Sequence, residues 1–580
     1  MIILGINAYH PDSSACLLVD GKIKIAIEEE RINRVKHWAG FPILSIKKCL
    51  EDQKILLSDI NFIAINNNPF SNLYNKLKYV ISKRPYFNFY LQRFKSLHKK
   101  KNILQILNDN FGGLNNHCKL INIDHHLSHL ASAYYDSLFE NSVNLSVDGF
   151  GNFSSVSWGL ARNNEVKIDE RILFPHSLGI FYEAFTQFLG FHNFGDEYKV
   201  MGLSSYGKPT ENHKLKNIIN LKKKGKFELN VKYFNHHKND ASYSWNNTSP
   251  KTSILFNKNI EKLFGPPIKS VKMLEDFHKN IACSVQNQYE EALFHMLNYI
   301  YGKYKIGNLT LSGGCAQNSL ANGKIIKNTK FSSIFVPSNP GDAGGAIGAA
   351  YVAWYNLKKL RPKRNLTAYL GTNYKNDEVK NFIHLNKDTL LEKKCIFLEY
   401  KDENELLKFI SEEIAEEKIV GWFQGKMEWG PRALGNRSII ADPRNKNIKD
   451  IINMKIKRRE SFRPFAPSIL LEEVNNWFDN FDEEELFMSK VIKFKDDKKE
   501  LVAGVTHIDG TGRLQTVKFK DNPRFYNLIK SFQKITGVPI LLNTSFNENE
   551  PIVFTLDNAL QCFLRTEMDI LVIENWVIHR

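Results

Sequence analysis

Two histidines separated by one helical turn are the first residues that could do chemistry. A predicted strand runs into DHHLSHLA, whose Asp124 is a residue type that often caps the start of a helix. On that helix His125 and His129 project from one face and could share a metal ion. Asp148, at the end of NLSVD, and Asp342, in NPGDAGG, are candidate oxygen ligands. Two histidines and two aspartates suit Fe(II), zinc or manganese; the alternative is a capped pair of histidines without a metal.

Glycine-rich turns lie between strands and helices near these residues. They are Gly313 and Gly314 in LSGGC and Gly341 in NPGDAGG, and Gly149 in VDGFG adds another point of close backbone approach. Backbone N–H groups at such turns attract phosphate, because they lack partners and the dipole of the following helix is positive there. Each turn could equally serve packing alone.

Basic side chains are concentrated in the C-terminal part of the chain. They lie in GKMEWGPRALGNRSIIADPR, IKRRESFRPFAPS and HIDGTGRLQT, and are Arg432, Arg437, Arg444, Lys457, Arg458, Arg459, Arg463 and Arg513. The segment LLNTSFN adds Ser545 as a short-range donor at a strand end. Several guanidinium groups that converge on one point would hold a small dianion. For some of them the alternative is a salt bridge, as between Arg459 and Glu460.

An α/β framework must position these side chains. The strands LGIN, ACLLVD and KIKIAIEEER are joined by a tight turn at Asp20 and Gly21. The same plan returns in VNLSVDG, SSVSWGLA and EVKIDERIL, with a turn at Asn163 and Asn164. This likeness predicts a duplicated strand–turn–strand–turn–strand unit, although two unrelated hairpins would look similar.

A second pattern of strands and helices begins near the last third of the chain. The polar, proline-bearing segment RPKRNLTAYLGTNY separates it from the first pattern, and CIFLEY, ELLKFISEEIAEE and KIVGWFQG then predict strand, helix and strand. We therefore expect one domain over residues 1–360, a linker and the start of the second domain over 361–394, and that second domain over 395–580.

Composition limits the class of protein. The chain has 580 residues, 43% hydrophobic and 24% charged, which is typical of globular domains. A net charge of +17 favours anionic partners or simply a soluble, lysine-rich surface. Seven scattered cysteines do not form a disulfide framework, so we expect a reducing compartment. The N-terminus does not resemble a signal peptide and no apolar run is long enough to span a bilayer, so we expect a cytoplasmic protein with no membrane span.

Two stretches have unusual composition. Residues 76–101 combine lysines and arginines with aromatic residues and contain no acidic residue, a composition that can hold nucleic acid or an anionic surface, or form a solvated helical hairpin. Residues 210–270 are rich in lysine and asparagine and weakly patterned, which predicts an excursion over the surface.

Twelve ordered segments resemble one family, the O-carbamoyltransferases of antibiotic, nodulation-factor and related biosynthesis. From residue 4 to about residue 570 these segments are HPDSSACLLVDG, EEERINRVKH, HHLSHLASAYYDS, SVDGFGNFSS, EYKVMGLSSYG, LSGGCAQNSLANGK, PSNPGDAGGA, GPRALGNRSI, FRPFAP, VTHIDGTGRLQT, NPRFY and LLNTSFN. The resemblance implies an N-terminal duplicated ribonuclease-H-like domain, of the actin, Hsp70 and sugar-kinase type (Kae1-like), and a C-terminal YrdC-like α/β domain.

The resemblance also implies site residues. A divalent metal, usually iron as Fe(II), would bind His125, His129, Asp148 and Asp342. ATP, with or without magnesium, would lie on Gly149, Gly313, Gly314, Gln317, Asn318 and Gly341. Carbamoyl phosphate would bind Arg432, Lys457, Arg463, Arg513 and Ser545. There it would lose its phosphate, and the carbamate would react with ATP to give carbamoyl adenylate and pyrophosphate. The adenylate would move internally to the metal site, where a hydroxyl of the acceptor attacks its carbonyl.

Two further residues resemble catalytic positions of the family. His10 resembles the histidine placed to accept the hydroxyl proton, but Pro11 separates it from Asp12, whereas the family often has the two side by side. The alternative for His10 is a turn histidine. Lys36, in RVKH, resembles a lysine near the nucleotide, and could equally be an exposed charge at a strand end.

The hydroxyl acceptor stays open at this stage. A sugar, a natural product, a glycolipid precursor, or a nucleoside or DNA base would each suit the chemistry, and a nucleic-acid acceptor would suit the positive charge. The main alternatives are threonylcarbamoyl transfer to adenosine in tRNA and a non-catalytic, ATP-dependent chaperone-like switch. Related enzymes often pair, so a homodimer is one expectation.

Overall fold

The computed structural model of the protein describes residues 1–83, 103–238, 243–244 and 248–580. Contacts within these residues divide the chain into two units, Met1–Leu366 and Thr367–Arg580. The basic, aromatic stretch predicted at 76–101 begins in a helix that ends at Lys83, and its residues 84–101 lie outside the described residues.

The first unit combines strands and helices throughout its length. Its described strands are β1 (Ile2–Asn7), β2 (Ser14–Val19), β3 (Lys22–Glu28), β4 (Phe62–Ile65), β5 (Lys119–Asn122), β6 (Ser142–Gly151), β7 (Ser154–Arg162), β8 (Glu165–Val166), β9 (Glu170–Leu173), β10 (Ile219–Leu221), β11 (Phe227–Leu229), β12 (Tyr243–Ser244), β13 (Lys251–Thr252), β14 (Asn308–Ser312) and β15 (Ser333–Phe335). Its described α-helices are α1 (Glu29–Asn33), α2 (Ile43–Gln53), α3 (Leu73–Lys83), α4 (Ile103–Phe111), α5 (His125–Asp136), α6 (Leu178–Phe188), α7 (Glu197–Ser204), α8 (Asn212–Leu215), α9 (Lys258–Phe264), α10 (Asp276–Tyr304), α11 (Ser319–Asn328) and α12 (Gly344–Lys358).

Two sheets of the first unit have the same strand order. In one, β3, β2 and β1 pair antiparallel, and β4 and β5 continue from β1 in parallel. In the other, β8 and β9 both pair antiparallel with β7, β7 pairs antiparallel with β6, and β14 and β15 continue from β6 in parallel. The hairpin likeness read from the sequence therefore extends to complete sheets, each built on a central strand with antiparallel neighbours on one side and parallel neighbours on the other.

Helices α5 and α12 pack closely against each other in the first unit. A Cβ atom at Gly348 of α12 would lie 1.8 Å from the carbonyl oxygen of Ser128 on α5, so only glycine permits this approach. Further along, the Tyr351 hydroxyl donates a hydrogen bond to Asp136 Oδ1 at 2.7 Å. These contacts fix the two helices that follow the last strands of the two sheets.

The stretch predicted as a surface excursion, residues 210–270, also contributes to the interior. It contains two short antiparallel strand pairs, β10–β11 and β12–β13. Phe227, Phe234, Phe256 and Phe264 are buried. The prediction was incomplete because these buried aromatic residues are spaced too irregularly to give a strand or helix period.

The second unit is a mixed α/β structure. Its strands are β16 (Ile396–Glu399), β17 (Val420–Phe423), β18 (Arg437–Ala441), β19 (Ala466–Leu470), β20 (Val491–Lys493), β21 (Thr511–Arg513), β22 (Gln515–Val517), β23 (Ile540–Ser545), β24 (Ile570–Ile573) and β25 (Trp576–His579). Its α-helices are α13 (Asn376–Leu385), α14 (Lys387–Glu392), α15 (Glu403–Ala415), α16 (Ile448–Ile452), α17 (Val474–Trp477), α18 (Pro523–Thr536) and α19 (Leu556–Arg565), and a π-helical turn spans Asn453–Lys457. Helices α13 and α14 lie within the stretch predicted as linker and domain start.

One eight-stranded sheet organises the second unit, in the order β16-β25-β24-β17-β18-β23-β19-β22. Helix α18 shows how the sequence forms its elements: the side chain of Asn522 accepts from the N–H of Phe525, Pro523 occupies the first turn and Gly537 ends the helix in a left-handed conformation. Its apolar side chains recur at helical spacing and are buried, namely Phe525, Leu528, Ile529 and Phe532.

Two general findings concern the described residues as a whole. Every one of the seven cysteines has a free thiol. Among the helices that the structure describes, none combines the length and the apolar character needed to cross a lipid bilayer.

Candidate functional site

The helix that carries the two candidate histidines begins as the sequence predicts. The carboxylate of Asp124 accepts a hydrogen bond from the N–H of Leu127 at 3.1 Å, which caps the first turn of α5. His125 and His129 are both fully buried, and their Nε2 atoms are 3.1 Å apart. The lone pairs of two unprotonated ring nitrogens at this distance would repel each other. A proton or a metal cation between the two nitrogens removes this repulsion.

Two aspartates from distant parts of the first unit complete the cluster. Asp148 lies in β6, and its Oδ2 is 3.0 Å from Nε2 of His125 and 3.7 Å from Nε2 of His129. Asp342 lies in the turn before α12, with Oδ1 3.5 Å from Nε2 of His125 and 3.4 Å from Nε2 of His129. All four candidate ligand atoms lie within 4.8 Å of one another. The structure therefore brings together the four residues predicted from the sequence.

The electrostatics of this cluster favour a bound cation. Burial opposes charge on His129, but hydrogen bonds and the negative charges of Asp148 and Asp342 raise the pKa of His129 to about 9. Burial also opposes charge on Asp148, yet His125 and His129 hold the pKa of Asp148 well below its ordinary value. Burial, followed by the charge of Asp148, raises the pKa of Asp342. When a metal binds, both imidazoles are neutral, and the charge of the metal then balances the two buried carboxylates. Two nitrogen and two oxygen ligands suit a divalent transition metal.

His126 lies between the two candidate ligands and has a different environment. Its Nδ1 is 3.0 Å from Ser146 Oγ and its Nε2 is 3.0 Å from the carbonyl oxygen of Ser154. Burial, followed by the charge of His125, lowers the pKa of His126 to about 3. Both of its ring nitrogens are thus engaged by the second sheet, and His126 belongs to the framework.

His10 lies beside the cluster. Its ring centroid is 5.0 Å from that of His125. The turn that carries it is held by Asn7, whose Nδ2 donates to the carbonyl oxygens of Pro11 at 3.0 Å and Asp12 at 2.9 Å. The extra proline is therefore accommodated in a fixed turn, and the histidine still lies next to a candidate metal ligand.

Lys36 is exposed and lies in the turn after α1. The residue that follows it, His37, is held by two acidic side chains. His37 Nδ1 is 2.7 Å from Asp12 Oδ1, and the backbone N–H of His37 donates to Glu30 Oε2 at 2.7 Å. This ties the Lys36 turn to the turn that carries His10. The nucleotide role of Lys36 stays a prediction.

The glycine turns adjoin the metal-ligand cluster. The N–H of Gly313 donates to the carbonyl oxygen of Pro340 at 2.7 Å, so the turns that contain Gly313 and Gly341 are joined. The N–H of Gly314 donates to Asp148 Oδ1 at 2.9 Å. The carbonyl oxygen of Gly149 accepts from Ser177 Oγ at 2.8 Å. The structure thus places the predicted phosphate-binding turns beside one of the candidate ligands, but the expectation of unpartnered N–H groups is wrong at Gly313 and Gly314, whose N–H groups both have protein acceptors.

The two side chains predicted at the nucleotide have different surroundings. Gln317 lies against Gly341, where an added Cβ atom would be 3.0 Å from Gln317 Nε2. Asn318 caps α11, with its Oδ1 accepting from the N–H of Ala321 at 3.0 Å, and it exchanges hydrogen bonds with Gln286. The contacts of Asn318 fix the helix, and nucleotide contact by either residue stays a prediction.

In the second unit, Lys457 and Ser545 are neighbours. Lys457 is fully buried at the end of the π-helical turn, and its Nζ donates to Ser545 Oγ at 3.3 Å and to the carbonyl oxygen of Ser545. The same ammonium donates to Asn547 Oδ1 at 2.6 Å. The structure therefore joins two of the residues predicted to bind carbamoyl phosphate.

Arg513 of the second unit lies within range of the charges of two other arginines, Arg432 and Arg459. Burial, followed by the positive charges of Arg432 and Arg459, holds the pKa of Arg513 well below its usual range. All three side chains are partly exposed. A bound anion would relieve their repulsion, which makes this group, the arginine cluster, the candidate anion site.

The other predicted basic residues have partners of their own. Arg463 forms an ion pair with Glu460. Arg437 is fully buried, lies 3.6 Å from the ring centroid of Phe423 and donates to backbone carbonyl oxygens. Arg444 binds the carboxylate of Asp442. Arg437 and Arg444 therefore stabilise the fold, and Arg463 is held by an acid.

Arg459 was predicted either to help hold an anion or to pair with Glu460; in the structure its charge acts on Arg513, and its Nε donates to Asn453 Oδ1 at 2.7 Å. Sequence reasoning missed one residue that shapes this region, Glu428. Glu428 precedes the turn that contains Arg432, and its Oε1 accepts from the N–H groups of Leu434 at 2.7 Å and Asn436 at 2.8 Å. An acid just before a glycine-broken turn, as in EWGPRALG, was the available signal.

Comparison with known proteins assigns both parts of the chain. A model described as "Carbamoyltransferase N-terminus" matches residues 2–351, and one described as "Carbamoyltransferase C-terminus" matches residues 411–580. The chain is 37% identical to an uncharacterized protein of Synechocystis sp., over 99% of this chain and 96% of that protein. It is 35% identical to the nodulation protein NolNO of Sinorhizobium fredii, over 99% of this chain and 80% of that protein. It is also 32% identical to the 3'-hydroxymethylcephem-O-carbamoyltransferase of Amycolatopsis lactamdurans, over 46% of this chain and 48% of that protein.

Proposed function

Because the chain belongs to the carbamoyltransferase family, we propose that it is an ATP-dependent O-carbamoyltransferase that works through carbamoyl adenylate. The observation that carries this proposal is the buried cluster of two histidines and two aspartates with His10 beside it. The acceptor is a hydroxyl-bearing compound, and a sugar, a natural product or a nucleoside would each fit the chemistry.

The two units would have different tasks. The repeated sheets support a duplicated fold of the actin and sugar-kinase type for the first unit, which would hold ATP on the glycine turns. We propose the YrdC-like assignment for the second unit, which would bind carbamoyl phosphate at Arg432, Arg459 and Arg513. The resemblance to the family adds Lys457, Arg463 and Ser545 to this proposed site. The arginine cluster has the charge that a phosphate dianion needs.

Activation precedes transfer in the proposed reaction. Water cleaves carbamoyl phosphate to carbamate and phosphate, and a carbamate oxygen then attacks the α-phosphorus of ATP and expels pyrophosphate. The product, carbamoyl adenylate, is a mixed anhydride. Its leaving group is AMP, which departs far more readily than the hydroxide that free carbamate would have to expel. The basic side chains bind and orient the anions in these steps.

Transfer would take place beside the cluster of His125, His129, Asp148 and Asp342. A divalent metal held by these four residues would supply Lewis-acid stabilisation of negative charge. The acceptor hydroxyl attacks the carbonyl carbon of the adenylate, and His10 takes the hydroxyl proton. The bond between that carbon and the phosphate oxygen breaks, and AMP leaves with the oxygen and the electron pair. The Lys36 turn, tied through His37 to the His10 turn, would lie at the nucleotide.

Release of pyrophosphate tests the activation step. Native protein incubated with ATP and carbamoyl phosphate should release pyrophosphate and form carbamoyl adenylate, detected by mass spectrometry, and omission of carbamoyl phosphate should abolish both. Acceptors are then compared by adding sugars, nucleosides and glycolipid precursors and measuring a carbamoylated product. Absence of the adenylate under all metal conditions would contradict the proposal, and modified adenosine from tRNA, threonine and bicarbonate would favour threonylcarbamoyl transfer instead.

Replacement of His10 tests the transfer step. His10→Asn should lower the rate of carbamoyl transfer by about 10²- to 10⁴-fold, the usual contribution of a general base. Formation of adenylate should continue, because the variant leaves the arginine cluster unchanged. Near-native transfer by the variant would remove His10 from the mechanism.

A further inference from the structure

Asn152 connects the metal-ligand helix to the turn after β6. It lies between β6 and β7 in a left-handed conformation, with φ of 48°. Its Oδ1 accepts a hydrogen bond from the backbone N–H of His125 at 2.8 Å. That N–H belongs to the first turn of α5, where backbone donors have no partner within the helix. Asn152 therefore satisfies one of these donors from another segment, while Asp124 satisfies another.

The same amide also binds the loop that follows β4. Its Nδ2 donates to Asn67 Oδ1 at 3.0 Å and to the carbonyl oxygen of Asn68 at 2.9 Å. The backbone carbonyl oxygen of Asn152 accepts from Asn72 Nδ2 at 2.8 Å. The loop is thus held by both the side chain and the backbone of a single residue.

These contacts join three segments around the candidate metal ligands. One segment starts α5 with His125, the second leaves β6 shortly after Asp148, and the third leads from β4 into α3. A displacement of Asn152 would change the position of His125 relative to Asp148, whose Oδ2 is 3.0 Å from His125 Nε2. Mutation of residues that orient a metal ligand through hydrogen bonds typically lowers metal affinity by about 10- to 100-fold.

We propose that Asn152 is a positioning residue that fixes His125 for metal binding, and that it separately holds the loop of residues 67–72 beside the cluster. This inference rests on the proposed function in taking the histidine and aspartate cluster as a metal site. Asn152 acts through His125 and needs no contact with substrate.

Substitutions can separate the two sets of contacts. Asn152→Gly removes the amide and tolerates the left-handed backbone. Asn152→Asp keeps an oxygen that can accept from His125 and removes the donor to the loop. Asn72→Ala removes one loop contact and leaves the Asn152 amide in place, so it serves as the matched control.

The measurement is the affinity of the full chain for cobalt(II) alone, followed by titration and visible absorption, with the melting temperature of the metal-free protein recorded for each variant. We expect Asn152→Gly to weaken cobalt binding by about 10- to 100-fold. Asn152→Asp and Asn72→Ala should keep near-native affinity, while hydrogen exchange over residues 66–72 becomes faster in both.

Native cobalt affinity in a folded Asn152→Gly protein would overturn the inference. If that variant does not fold, Asn152→Ala takes its place: a loss of cobalt affinity of about 10-fold or more supports the inference, and native affinity overturns it. Because these readouts need no substrate, a native protein that binds cobalt tightly but makes no carbamoyl adenylate would contradict only the proposed function.

Discussion

Two histidines of α5 that are three residues apart, His126 and His129, have different surroundings, and each predicts a different response to substitution. His129 faces two carboxylates and another imidazole, whereas His126 is held by Ser146 and by the carbonyl oxygen of Ser154. One side chain is therefore available to a cation, and the other stabilises the contact between the helix and the second sheet. The contrast allows metal binding and folding to be tested separately on a single helix.

Replacing His129 should abolish tight metal binding. His129→Gln removes a nitrogen ligand, so cobalt affinity should fall by more than the roughly 10- to 100-fold expected for an outer partner. His126→Gln should instead lower the free energy of unfolding by about 1–3 kcal/mol, because buried groups lose hydrogen bonds, and should keep the metal affinity. Equal loss of metal by both folded variants would contradict this division.

The pair formed by His37 and Asp12 predicts a dependence of stability on pH. Burial and the charge of Lys36 lower the pKa of His37. The charge and hydrogen bond of Asp12, with the charge of Glu30, outweigh them and raise this pKa to about 9. Since this pKa is above the unfolded value of 6.5, the pair stabilises the fold fully below pH 6.5 and loses that effect as the pH rises through about 9.

Thermal unfolding across this pH range tests the pair. The native protein should melt at a higher temperature than Asp12→Asn at pH 6.5, and the difference should shrink as the pH rises through about 9. Asp442→Asn, which changes an aspartate paired with Arg444, serves as the control and should give a difference with no such loss over the same range, because a guanidinium stays charged there. A constant difference for Asp12→Asn would contradict the assigned pKa.

At the scale of elements, the turn between β6 and β7 must pass very close to α5. A Cβ atom at Gly151 would lie 1.9 Å from Cδ2 of His125. Gly151→Ala should therefore push the imidazole away from Asp148 and weaken cobalt binding by about 10-fold or more. Gly302→Ala on α10, where an added Cβ meets nothing within 4 Å, is the matched control and should bind cobalt normally. Unchanged cobalt affinity in Gly151→Ala would show that the turn can relax.

The metal-ligand cluster could be predicted because its signals are local. His125 and His129 have helical spacing after a capping aspartate. Asp148 ends the apolar run of β6, and Asp342 lies in the turn before α12, positions where an α/β fold gathers side chains. Asn152 could not be identified in this way, because its partners lie up to 85 residues away. The role of Arg459 stayed open because its neighbour Glu460 offered a salt bridge, but in the structure Glu460 pairs with Arg463.

At the scale of the whole molecule, metal and anion are expected to bind to different units. Cobalt(II) added to the full chain should slow hydrogen exchange over the start of α5 and the turn after Asp148. Inorganic phosphate should slow exchange around Arg432 and Arg513. A ligand at 100 times its dissociation constant stabilises the state that binds it by about 2.7 kcal/mol. Protection of the arginine segments by cobalt, or the absence of any protection of these segments by phosphate, would contradict the assignment of the two sites.

The two sheets of the first unit are alike in order but differ in charge at one equivalent place. In the first sheet Ile6 pairs with Ala15, and the residue after Ile6 is Asn7; in the second, Val147 pairs with Val156, and the residue after Val147 is Asp148. A neutral amide thus stands where the other copy has an acid. The two equivalent positions therefore have different tasks. Asp148 faces the imidazoles of the cluster, whereas Asn7 holds the turn that places His10 beside them.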